Sequence, residues 1–178
     1  VGWRQDEQTF DGAKLDYGVG DLKFSTAYLT QVNGITPLFD ANPSNYLFNA
    51  SWAGAPGGSL TAYGYLLETD TVPDSDNDTF GLRYAGAFDM DSLKLLLTLE
   101  GAQQEVEAGD TEYYFAELGA QVAGVTVKVA QEVLGSDDGT VAFQTPLATK
   151  HAFNGWSDQF LATPDDGLED TFVSVGGK

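Results

Sequence analysis

Five of the eight basic residues, Lys14, Lys23, Arg83, Lys94 and Lys128, stand in segments where charged and apolar residues alternate. The base falls opposite the apolar residues each time. Lys14 alternates with Ala13, Leu15 and Tyr17, Lys23 with Leu22 and Phe24, Arg83 with Leu82 and Tyr84, and Lys128 with Val127 and Val129. Fixed cations along a confined wall attract carboxylates more strongly than the same charges in bulk water. Glu100, Glu117 and Glu132 share that side and make the wall mixed rather than purely cationic. These eight side chains are the expected contacts of a polar, preferentially anionic small solute. The plainer reading is a solvated face.

Other chemistry is thin. His151 is the only histidine and has no serine or cysteine partner at motif spacing. The run DSDND at 74–78 places acids at alternate positions, as a calcium loop begins. Thr79 stands where such a loop needs glycine, however, and Ala85 where it needs glutamate, so no metal is expected. Asp137–Asp138 and Asp165–Asp166 sit beside glycines in turn contexts. A hydrolase of acidic polysaccharide would rest on these scattered carboxylates alone. There is no phosphate loop, HExxH or GxSxG, so neither an enzyme nor a cofactor is expected. Twenty-seven acids against 8 bases, a net charge of −19, argue against nucleic acid as a partner.

The elements that must position these residues are strands. Period-two segments separated by turn signals recur at 9–17, 22–30, 46–53, 59–67, 79–88, 92–102, 112–122, 125–132 and 168–176. The stretch DSLKLLLTLEG, 91–101, shows the ambiguity and its resolution. Leu93, Leu95, Leu97 and Leu99 share a face if it is a strand, whereas Leu93, Leu96 and Leu97 do if it is a helix. Its neighbours are strands, so a strand is expected. The whole is an all-β, antiparallel up-and-down meander. With no cysteine, no disulfide holds it. At 178 residues the chain is long enough for a single domain with a sizeable core.

The connections alternate in length. GVGD, GAPGG, DMD and AG are short; 31–45, 68–78, QQEVEAGDT (103–111) and 133–167 are long. In a meander, alternate connections lie at the same end. One end is thus expected to carry tight turns and the other long loops, the asymmetry of outer-membrane barrels. Two packings fit the alternation: a transmembrane barrel with its apolar face on lipid and its polar face on a wet lumen, or a soluble lipocalin-like ligand-binding barrel with the apolar face inside. Tyr17, Tyr28, Tyr46, Trp52, Tyr84 and Tyr114, near strand ends on the apolar side, are candidate girdle residues and favour the first. No run of about 18 apolar residues forms a transmembrane helix. The 133–167 loop is expected to fold into the pore, opened as a short helix by Thr145 and Pro146, with His151, Phe153, Trp156 and Phe160 at the constriction. The alternative is a self-packed external loop.

VGWRQDEQTFDGAKL at the start resembles a wall segment of Gram-negative outer-membrane porins of the alginate-export type. So does the more specific stretch EVLGSDDGTVAFQTPLATKHAFNGWSDQFLATPDDGLEDTFVSVGGK at the end. SWAGAPGGSLTAYGYLLETD and TFGLRYAG fit between them in order. The resemblance implies the second half of a longer barrel in the bacterial outer membrane, without the closing strand, so that the chain is expected to be mature, trimmed or a fragment. It implies a passive channel for polar or anionic solutes; contact with outer-membrane lipid is what the face alternation leads one to expect.

Overall fold

A computed structural model describes residues 9–33, 44–68, 76–148 and 159–177. The main strands are β1 (Thr9–Val19), β2 (Leu22–Asn33), β3 (Asn45–Ala55), β4 (Gly58–Leu67), β5 (Asn77–Met90), β6 (Leu93–Val106), β7 (Gly109–Val122) and β8 (Val125–Leu134). A small hairpin, β9 (Ser136–Asp137) and β10 (Val141–Ala142), follows, and then β11 (Leu168–Gly177). Nine of these form one antiparallel meander in the order β1-β2-β3-β4-β5-β6-β7-β8-β11. All nine expected strands are present, DSLKLLLTLEG among them. Most run further than the sequence pattern shows, because backbone pairing continues where the apolar alternation has lapsed. Among the described residues the sheet has two edges, β1 and β11, and does not close.

Tight turns occupy one end, at 20–21, 56–57, 91–92 and 123–124. Their chemistry fits two-residue hairpins, which need left-handed backbone. Gly20, Gly57 and Gly124 supply it at no steric cost, while Asp91 and Ala123 adopt φ of 51° and 49°. At the other end one expectation is corrected. QQEVEAGDT is not a long loop: β6 and β7 pair through Val106 and Gly109, leaving only Glu107 and Ala108 as the turn. The polar run Gln103–Glu105 had read as loop, yet Gln103 pairs with Glu112, Gln104 with Thr111 and Glu105 with Asp110.

The register sorts every strand onto two faces. Leu82, Tyr84, Leu97, Leu99, Leu118, Val127, Val129 and Val173 fall on one, and the charged strand residues named above fall on the other. Exposure follows the reverse of a water-soluble rule. Nearly all the exposed large hydrophobics, from Leu15 and Phe24 to Val175, lie on the apolar face. The buried polar residues Asn45, Asn77, Thr79, Thr98, Gln104 and Thr111 all lie on the polar face. Among the described residues the apolar face is thus the exposed one, whereas a lipocalin-like packing would have to bury it.

Candidate functional site

The site is the polar face, built across β1 to β8 by the period of two that puts alternate side chains on the same side. It carries Lys14, Lys23, Arg83, Lys94, Lys128, Glu100, Glu117 and Glu132 together. They do not stand as an open row of cations. Arg83 and Glu100 are register partners on β5 and β6, and the Arg83 guanidinium Nη1 donates to Glu100 Oε2. Lys128 Nζ lies 2.9 Å from Glu117 Oε1 on the neighbouring strand. Lys94 pairs with Asp89 at 3.2 Å and Lys14 with Asp16 at 3.1 Å. Lys23 makes no ion pair among the described residues.

Tyrosines tie the carboxylates down further. The Tyr63 hydroxyl donates to Glu100 Oε1 at 2.7 Å, and the Tyr113 hydroxyl to Glu132 Oε1 at 2.8 Å. Tyr63 stacks on Tyr65 with centroids 5.1 Å apart, and the Tyr65 hydroxyl reaches Asn49 at 3.3 Å. The Arg83 guanidinium carbon sits 5.7 Å over the Phe115 ring. These aromatic residues were not among the expected solute contacts. Their signal was present, since Tyr63, Tyr65, Tyr113 and Phe115 occupy the charged parity of their strands, where a pure lipid-facing girdle would not place them.

The long connection lies on this same face. After β8, Gly135 N donates to Glu112 O at 2.8 Å, the β9–β10 hairpin turns the chain back, and Phe143 N donates to Gly135 O at 2.9 Å. Phe143 is buried against Ala102 and Leu134, with Tyr63, Tyr113 and Leu168 around it. Its ring meets Tyr113 at 5.3 Å. A cavity of about 570 Å³ opens between loop and wall, with Tyr63, Arg83 and Glu100 on one side and Pro146, Leu147 and Phe160 on the other. Pro146 and Leu147 form a turn closed by Ala148 N to Thr145 O at 3.1 Å, not the first turn of a helix in the described residues. Of the expected constriction residues, Phe160 is described and exposed. His151, Phe153 and Trp156 lie outside the described residues.

On the opposite face the six girdle candidates divide between the two ends. Tyr17 and Trp52 stand toward the tight turns, and the Tyr84 hydroxyl reaches Pro56 O there at 2.6 Å. Tyr28, Tyr46 and Tyr114 stand toward the other end, with Tyr28 and Tyr46 stacked at 4.8 Å. Asp74 and Ser75 of the DSDND run also lie outside the described residues, and among the described ones no group of acids and histidines clusters as a metal site.

No protein-family model matches the chain, and no curated protein matches it in sequence. In three dimensions it is similar to the crystal structure of Pseudomonas aeruginosa OpdL, with a TM-score of 0.70 and 15% sequence identity. The match covers 98% of this chain and 51% of OpdL, so the chain spans about half the length of that protein. At this identity the likeness concerns the fold: nine antiparallel strands in meander order follow half of OpdL.

Proposed function

We propose that this chain forms part of the wall of a bacterial outer-membrane channel that passes small polar solutes passively. One observation carries the reading: the apolar face holds nearly all the exposed large hydrophobics, while the face that holds the charges also holds the buried polar residues and is overlaid in part by a loop. That inversion suits lipid outside and water inside. The strands have the right length, since ten residues at about 3.4 Å each, tilted by about 45°, cross roughly 24 Å of hydrocarbon. The nine-strand meander shared with OpdL is compatible with such a wall, and the resemblance to alginate-export-type porins points the same way.

For the solute, the five wall bases support anionic species such as uronate oligomers or other carboxylates. The ion pairs narrow that support. Four of the bases are compensated by Asp16, Asp89, Glu100 and Glu117, which leaves Lys23 as the unpaired cation among the described residues. The wall therefore favours polar solutes in general and carboxylates by a small margin. No enzymatic step belongs to this reading.

The test is extraction followed by reconstitution. The full-length channel that contains this chain is expected to need detergent for extraction and to produce stepwise ion conductance in a planar bilayer. A monodisperse, detergent-free monomer that gives no conductance would refute the proposal.

A further inference from the structure

Gln104 is a long polar side chain only 1% exposed, on the interior strand β6. Its amide is committed on both sides. Gln104 Nε2 donates to Gln144 O at 2.9 Å, and Gln104 Oε1 accepts from Gln144 N at 2.8 Å. The second Nε2 hydrogen goes to Thr79 Oγ1 at 3.0 Å, and that hydroxyl in turn donates to Asn77 Oδ1 at 2.9 Å. The amide thus meets the loop backbone as a neighbouring strand would, and the Thr79–Asn77 relay fixes which way it faces.

Gln144 repeats the device one step further out. Its Nε2 donates to Thr163 O at 2.9 Å, and its Oε1 accepts from Thr163 N at 3.2 Å. Two side-chain amides in series therefore link the wall to the outgoing limb of the long connection at residue 144, and that limb to the returning limb at residue 163. Phe143, next to the first clamp, is buried in the wall's apolar cluster. Such bonds are strong where water is excluded, and losing one partner leaves buried backbone groups unpaired.

We propose that Gln104, acting through Gln144, sets the aperture of the channel: it holds the two described limbs of the long connection, residues 135–148 and 159–167, on the polar face, so that they occupy part of the lumen permanently rather than as a gate. Gln104 is thus a positioning residue for size selection. The proposal rests on the channel reading above, because the polar face must line the lumen.

The experiment uses single-channel recording of the full-length channel with polyethylene glycols of graded size as probes. Gln104→Met keeps the length of the side chain and removes all its bonds to residue 144. It is expected to enlarge the conductance step and to admit glycols that the wild type excludes. Gln144→Ala frees only the returning limb and is expected to fall between the two. Gln104→Glu adds a readout that general loosening of the sheet would not produce. Its protonated carboxyl can donate to Gln144 O and accept from Gln144 N, whereas the ionised form cannot donate. Conductance of this variant should therefore rise reversibly as pH rises through the titration of the new carboxyl, beyond any change in wild type. If Gln104→Met fails to insert, the Gln104→Glu pH response decides the matter. Channels of unchanged size in Gln104→Met, or a Gln104→Glu response no different from wild type, would overturn the proposal. Absence of conductance in wild type would instead overturn the channel reading.

Discussion

Leu99 offers a quantitative test of which face meets lipid. It lies on the apolar face of β6 and is 46% exposed, in a shallow groove with Leu60, Leu82, Tyr84 and Tyr114. It is six residues from Leu93, where β6 leaves its tight turn. Six residues at about 3.4 Å, tilted by about 45°, put it roughly 14 Å from that end of the strand, near the middle of a band about 25–30 Å thick. Val122 is almost equally exposed, at 48%, but sits beside the turn that ends β7. In a bilayer, Leu99→Arg should cost about 2–4 kcal/mol and Val122→Arg about 0–1 kcal/mol, because the penalty depends on depth. In water, two half-exposed leucine-like sites would each change by about 0.5 kcal/mol or less. The measurement is reversible guanidinium unfolding in lipid vesicles, followed by tryptophan fluorescence. Equal and small effects at the two positions would refute the lipid-facing assignment, since exposure alone cannot separate them.

Charge reversal potentials probe the ion-paired wall. Arg83→Gln should shift selectivity toward cations by uncovering Glu100, and Glu100→Gln should shift it toward anions by freeing Arg83; no shift in either across a salt gradient would make the pair irrelevant to permeation. Adding Lys94→Gln to Arg83→Gln should deepen the cation shift only slightly, because the Lys94–Asp89 pair is more exposed and screened within about 8 Å at physiological salt. Deletion of residues 145–164 in the full-length channel should raise single-channel conductance, and an unchanged step would place that segment outside the lumen. Ala123→Gly should stabilise the β7–β8 turn by about 1 kcal/mol in an unfolding assay, since an alanine at φ 49° carries left-handed strain that glycine does not.

The strands and their faces were legible in the sequence because a period of two is kept over long runs, nine residues in LKLLLTLEG, and a slip of one would reverse every face. The fates of the charges were less so. Whether Glu100 meets Arg83 depends on the register between β5 and β6, which no single segment states. QQEVEAGDT misled for a related reason: its glutamines and glutamates read as solvent-exposed loop, yet on a wet or loop-covered face polar residues are what a strand carries. Gln104 is the sharpest case. In sequence it is one polar residue in a polar run, and only the return of residue 144 over the wall gives it a role.

Among the described residues the meander has nine strands, an odd number, so β1 and β11 run in the same direction. Rolled onto itself, the sheet would join them as a parallel seam, with slanted bonds unlike those in the rest of the wall. An antiparallel ring needs an odd number of further strands between those edges. Left bare in hydrocarbon, the edges are untenable. About half the backbone groups of the 11-residue β1 and the 10-residue β11 point away from their single neighbour. At a few kcal/mol for each unpaired group, the two edges together would cost tens of kcal/mol. The sheet can enter a membrane only with its two margins already mated, so insertion and ring closure are one event rather than two.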